Sequence, residues 1–237
     1  MMRMPTLMLL CIAAAAALHC GCAGPYAVGY AIDPVEGPPI KYNTPVLVRP
    51  FADQRPRLER FEPADAGQYS FYSSDIWFKE DVAASITRAF QHELANAGIE
   101  VAAEGNHLLG NKPYLRLTAE VVHFIVTRKP VPVATMQDKV DTLWLRDQFS
   151  VRVALRVNLI DTKSEKKVMQ RYYESSDSFT QRAGMIDVEQ YKPGSATPPK
   201  KTDSKTADND YCIQLLNKHL KIVLVQARQD IVQLLTP

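Results

Sequence analysis

The residues of this 237-residue chain with the most chemistry to offer are four cysteines and five histidines. Cys22 stands just beyond an apolar run, Leu7 to Leu18, that follows Arg3, and small Gly21 precedes it. Cys11 and Cys20 belong to the same amino-terminal stretch, which leaves Cys212 in the body with no partner for an intramolecular disulfide. A buried apolar role is expected for it. His92, His107, His123 and His219 fall in separate elements, without HExxH spacing or a nearby cysteine pair, so no metal site is expected. His123 reads as a structural histidine in a strand; His92 and His219 read as solvated positions on helices. Neither a GxSxG elbow nor a Walker or GxGxxG loop is present, and no pair of carboxylates can be assigned as acid and base. The chain is therefore expected to hold no cofactor and to catalyse nothing.

The stretch Leu18-His19-Cys20-Gly21-Cys22 resembles the lipobox of bacterial lipoproteins, with His19 where that pattern usually has Leu. The resemblance implies that residues 1–21 are a signal peptide and that the Cys22 thiol accepts a diacylglycerol and becomes the new amino terminus. Cys20 is a rival acceptor, disfavoured by bulky His19 before it, and an ordinary cleaved secretory signal is the alternative. An apolar run of about a dozen residues suits a signal and is too short for a permanent span. Ala23, in place of Asp, points to the outer membrane on its periplasmic side.

Length and composition bound the class of protein. With 46% hydrophobic and 23% charged residues the chain is ordinary globular material, and a net charge of +2 offers nucleic acid no electrostatic footprint. Residues 22–44, broken by glycines and prolines, read as a lipidated flexible tether that reaches roughly 70 Å when extended. Beyond it, residues 45–237 read as one periplasmic domain. It opens with a strand at Pro45–Phe51 and a turn at Ala52–Pro56, where Asp53 can bond nearby backbone N–H groups and Arg55 can pair with it or with the sheet end.

A long irregular connection then leads to a helix expected over Ile76–Ala97, capped by Ser74 or Asp75 and striped by Phe78, Val82, Ile86, Phe90 and Leu94. Gly98 should stop it, before a short strand at Ile99–Val101. Alternation marks strands over Leu115–Val126 and Phe149–Leu159; the latter turns Val151, Val153, Leu155 and Val157 inward and Arg152 and Arg156 outward. Asp161–Glu165 turns the chain into a strand at Val168–Glu174. Between the two long strands, Arg128–Arg146 reads as either a sheet excursion or a projecting loop. Residues 182–207 read as a flexible loop, basic from 192 onward, and a last amphipathic helix is expected over Asp208–Leu235.

The expected fold is α+β: a two-layer sandwich whose mixed, mainly antiparallel sheet carries two long amphipathic helices on one face. A lipobox, a strand entering the Phe51-x-Asp53-x-Arg55 turn, and a helix ending at Gly98 before a Val-containing strand together resemble the YajG-type lipoproteins. More loosely, they resemble the auxiliary lipoproteins of ABC-type envelope transporters. The resemblance implies a non-catalytic, membrane-anchored accessory or adaptor subunit of an envelope assembly or transport machine. Alternatives are a module handling lipid or lipopolysaccharide and a regulator of a peptidoglycan synthase. Expected partners are the membrane, through the Cys22 lipid, and an envelope protein complex contacted by Asp53, Arg55, Arg152 and Arg156. The sequence leaves the oligomeric state open.

Overall fold

The computed structural model describes residues 26–34, 42–61, 70–71, 73–102, 113–133, 144–182 and 204–236. Cys22, His107 and nearly all of the expected loop at 182–207 lie outside the described residues. Among these residues seven strands are formed: β1 (Val46–Val48), β2 (Ala52–Asp53), β3 (Ser70–Phe71), β4 (Val101–Ala102), β5 (Leu115–Val133), β6 (Trp144–Asp161) and β7 (Lys166–Arg182). Three helices accompany them: α1 (Arg57–Arg60), α2 (Val82–Asn96) and α3 (Ser204–Leu235).

The strands make one open, mixed sheet in the order β4-β1-β5-β6-β7. Strands β5, β6 and β7 form a long antiparallel ribbon. The other side of β5 is shared along its length: β1 pairs in parallel at Leu115–Leu117, β2 in parallel at Glu120–Val121, and β3 antiparallel at Thr127–Arg128. The inward row of β6 is fully buried from Val151 to Leu159, while Ser150, Arg152 and Arg156 on the other side are exposed. Each such Val or Leu contributes about 1.5–3 kcal/mol by leaving water. Both long helices enter the same core, α2 through Val82, Ile86, Phe90 and Leu94, and α3 through Leu216, Leu220, Val223, Leu224, Ala227 and Ile231. Cys212 is buried, as its lone position suggested.

Several boundaries differ from those expected. Helix α2 begins at Val82 and not at Ile76, because Asp81 caps it: its carboxylate accepts the N–H of Ala84 at 2.7 Å. Asp75–Trp77 is a separate 3-10 turn, and Phe78 enters the core from an extended backbone. Gly98 follows with φ 85°, the left-handed stop anticipated for it. Strands β5 and β6 carry the sheet out to Val133 and back from Trp144, so the described parts of Arg128–Arg146 are sheet excursion. Strand β7 continues past Glu174 to Arg182; residues 176–178 are exposed and carry no apolar alternation to announce a strand. Its far end is held by aromatic stacking, with the Phe149 ring 5.6 Å from Phe179 and 5.5 Å from Tyr211.

The expected tether is in part strapped to the body. Tyr26 donates its N–H to the Trp77 carbonyl at 3.1 Å and accepts from the N–H of Lys79 at 2.8 Å. Gly29 N–H donates to Asn217 Oδ1 on α3 at 3.0 Å, and Lys221 pairs with Asp33. The Tyr30 hydroxyl donates to Glu93 Oε1 on α2 at 3.0 Å, and Arg228 of α3 reaches Glu93 Oε2 at the same distance. The physical reason is alternation: Tyr26, Val28 and Tyr30 lay their side chains against the core. In the sequence only residues 23–25 separate Cys22 from this strap.

His219 is also placed differently from its expected solvated position. It is 5% exposed, with Nδ1 2.7 Å from Ser175 Oγ. Burial holds its pKa below the ordinary value of 6.5. An unfolded histidine gains a proton near pH 6.5 while the buried one resists it, so acid favours the unfolded chain below that pH. In urea titrations, the stability of the parent is expected to fall as pH drops below about 6.5, and that of His219→Gln to fall less. Equal slopes would show that His219 does not carry this dependence.

Candidate functional site

The outer face of the ribbon is a lattice of charges set by register. Ala52, Glu120, Arg156 and Tyr172 lie in one row across β2, β5, β6 and β7, and His123, Ala154 and Glu174 lie in another. Arg156 donates to Glu120 Oε2 at 2.6 Å. Arg152 grips Glu174 with a fork, Nε and Nη2 each 3.0 Å from a carboxylate oxygen, and the Tyr172 hydroxyl donates to Glu174 Oε2 at 2.9 Å. The Arg152 hydrogen bonds hold the Glu174 carboxyl below its usual range. Tyr172 and Val168 stand exposed on the same edge strand. The face is thus polar, wet and aromatic at its margin, a composition suited to protein contact.

Asp53 and Arg55 belong to a different place. Asp53 shares its row with Val121, Leu155 and Tyr173, whose side chains are buried. Its Oδ1 accepts from the Arg55 N–H at 3.1 Å and Nε at 2.9 Å, and its Oδ2 from Nη2 at 2.8 Å. The Arg55 guanidinium also donates to the Ser73 carbonyl at 2.8 Å and to Asp75 Oδ1 at 2.6 Å. Burial by itself would raise the Asp53 carboxyl, but hydrogen bonds and charge from Arg55 outweigh it and hold the carboxyl low. Burial likewise opposes the charge on Arg55, and its bonds to Asp53 and Asp75 overcome that. At 4% exposure Arg55 braces the connection between β2 and the 3-10 turn, and its guanidinium is turned away from solvent. The structure therefore pairs Asp53 with Arg55 and separates both from Arg152 and Arg156.

Two residues that sequence reasoning did not bring together complete this region. The ladder between β5 and β6 slips at Val122, so that Val121 faces Leu155 while His123 faces Ala154. Glu59 of α1, 7% exposed, fills the irregularity: its Oε2 accepts the Phe124 N–H at 3.3 Å and its Oε1 lies 2.5 Å from His123 Nδ1. His123 is structural, as its strand position suggested, but its partner lies 64 residues away. No local spacing announces such a pair. A groove of about 310 Å³ lies elsewhere, between the strap and α2, lined by Val28, Tyr30, Lys79, Arg88 and His92 among others. Among the described residues no three His, Cys, Asp or Glu side chains converge as a metal site.

No family model matches the chain, and no curated protein does. Solved structures with a similar arrangement include a Xanthomonas campestris protein of the DUF330 family model, at 12% identity and a TM-score of 0.42, covering 86% of this chain and 97% of that one. A proposed neuraminyllactose-binding hemagglutinin homolog from Helicobacter pylori has 14% identity and a TM-score of 0.41, covering 86% and 91%. A minor lipoprotein from Acinetobacter baumannii has 7% identity and a TM-score of 0.32, covering 78% and 93%. Likenesses this distant carry no functional inference.

The two groups of arginines differ in what their removal costs. Arg55→Met leaves Asp53 and Asp75 to their longer ion pairs with Arg60, beside a buried apolar side chain, and is expected to lower unfolding free energy by about 3 kcal/mol in urea titrations. Arg152→Ala, at an exposed pair, is expected to cost no more than about 1 kcal/mol. Equal effects would contradict the assignment of Arg55 as a brace.

Proposed function

We propose that the chain is a non-catalytic, lipid-anchored accessory subunit of a cell-envelope assembly or transport machine. Diacylglycerol on Cys22 holds it to the outer membrane on the periplasmic side, and a two-layer fold presents the outer face of its sheet to a protein partner. The observation that carries the reading is the open edge of β7. Seventeen residues long, this strand has β6 as its one neighbour in the sheet among the described residues. Its other edge offers backbone groups beside the Arg152–Glu174–Tyr172 cluster. Such an edge either needs blunting by charge or accepts another chain, and Lys166, Lys167 and Arg171 keep it from pairing indiscriminately. Arg152 and Arg156 are then the contact residues, while Asp53 and Arg55 brace a separate part of the fold. The apolar run ending at Gly21-Cys22 supports the membrane anchor.

Two measurements test this reading. Cys22→Ser is expected to abolish incorporation of labelled palmitate and to release the protein from the membrane fraction; undiminished incorporation would overturn the anchor. A photo-crosslinking residue at Tyr172 is expected to give discrete adducts with envelope proteins in living cells, weakened by Arg156→Glu. The same residue at Lys163, in the turn between β6 and β7, should give none. Identical adducts from both positions, or none from either, would remove the β7 face as the contact.

A further inference from the structure

The three most exposed large apolar side chains among the described residues are Leu58 at 69%, Ile76 at 60% and Phe61 at 55%. They do not lie scattered along the fold. Leu58 and Phe61 flank Glu59 on and just after α1, and Glu59 points inward to His123, so its neighbours are left on the outer side. Ile76 lies in the 3-10 turn that runs beside α1. The two segments are tied by the Ser73 hydroxyl on the Glu59 carbonyl and by the Arg60–Asp75 ion pair at 3.5 Å. Two short segments laid side by side thus hold three bulky apolar groups in water, at a place where the brace of Arg55, Asp53 and Asp75 prevents them from folding away.

Among the described residues the carboxylates around them are each engaged: Asp81 caps α2 by accepting the Ala84 N–H. Asp75 is engaged by Arg55 and Arg60, and Glu80 by Arg88. Arg57 and Lys79 are exposed. An apolar cluster rimmed by exposed cations is the composition of surfaces that lie in the headgroup layer of a bilayer.

The strap supplies the geometry. Tyr26 is hydrogen-bonded to Trp77 and Lys79, immediately after Ile76 in the chain. From Cys22 to Tyr26 the chain takes four steps, which span at most about 14 Å even when fully extended. A lipid on Cys22 therefore brings the region around Ile76 down to the headgroups, where a free leash of 22–44 would have allowed it to stand far off.

We propose that Leu58, Phe61 and Ile76, rimmed by Arg57 and Lys79, form a docking face that seats the domain on the anionic phospholipid surface of the leaflet holding the Cys22 lipid. The proposal rests on the anchor reading for its orientation, and the experiment separates the two. In the lipidated full-length mature protein reconstituted in vesicles of phosphatidylethanolamine and phosphatidylglycerol, an environment-sensitive label is placed at Ile76→Cys or at Lys163→Cys. The label at 76 is expected to be quenched by headgroup spin-labelled lipid, and the label at 163 is expected to be untouched. No difference between them overturns the docking face and leaves the anchor intact. In parallel, the full mature chain with Cys22→Ser is sedimented with the same vesicles and with phosphatidylcholine vesicles. Binding is expected only to the anionic vesicles, and Leu58→Glu, Phe61→Glu and Ile76→Glu together are expected to weaken it about tenfold with an unchanged urea midpoint. If Cys22 takes no palmitate, the anchor reading fails and this sedimentation alone decides: anionic-selective binding lost in the triple variant sustains the face, and anything else ends it.

Discussion

Glu93 sits in the last turn of α2 at 1% exposure, and a carboxylate so far from water has to be answered by a cation and by donors. Arg228, near the end of α3, and Tyr30, in the amino-terminal strap, supply them. Three segments remote from one another in sequence are thereby obliged to meet at one point. Burial and the neighbouring Glu93 charge raise the Tyr30 hydroxyl well above the ordinary tyrosine range, so it stays a donor at any physiological pH. The path of the strap between the two helices is fixed where this group is satisfied. An apolar residue at 93 would fill the space, but it would specify neither Arg228 nor Tyr30 as its neighbour.

The same principle works on a smaller scale at the other side of the sheet. A slip in the ladder at Val122 leaves the Phe124 N–H facing Glu59, and α1 is a single turn whose placement serves that bond. Arg55 then fixes the connection from β2 through α1 to the 3-10 turn by binding Asp53, Ser73 and Asp75 together. Buried charge gives definition here to segments too short to have a core of their own.

How much can be read from the residues depends on the reach of each signal. Period-two alternation over Leu115–Val126 and Phe149–Leu159, and a four-residue repeat from Val82 to Leu94, are local patterns, and the elements they announce are present. Gly98 and the turn after Asp161 are local as well. The extension of β7 is not legible, because its inward positions Ser175 and Asp177 are polar and leave no apolar alternation before Phe179. The strap escapes notice for a related cause: glycines and prolines around Tyr26, Val28 and Tyr30 obscure a three-residue alternation that becomes meaningful only once α2 and α3 are in place. His219 looks solvated because its imidazole is polar, yet it lies three residues after Leu216 and four before Val223 on the buried face of α3, where Ser175 partners it. Of the four contact candidates, Arg152 and Arg156 are found by alternation, whereas the inward turn of Arg55 depends on Ser73 and Asp75, which no spacing connects to it.

The hydrogen bond from Gly29 to Asn217 joins residues 188 positions apart, and Arg228 lies further still along the chain. A polypeptide that emerges amino end first cannot complete that union until almost its whole length is out. Until then Gly29 and Asp33 lack the partners that Asn217 and Lys221 give them.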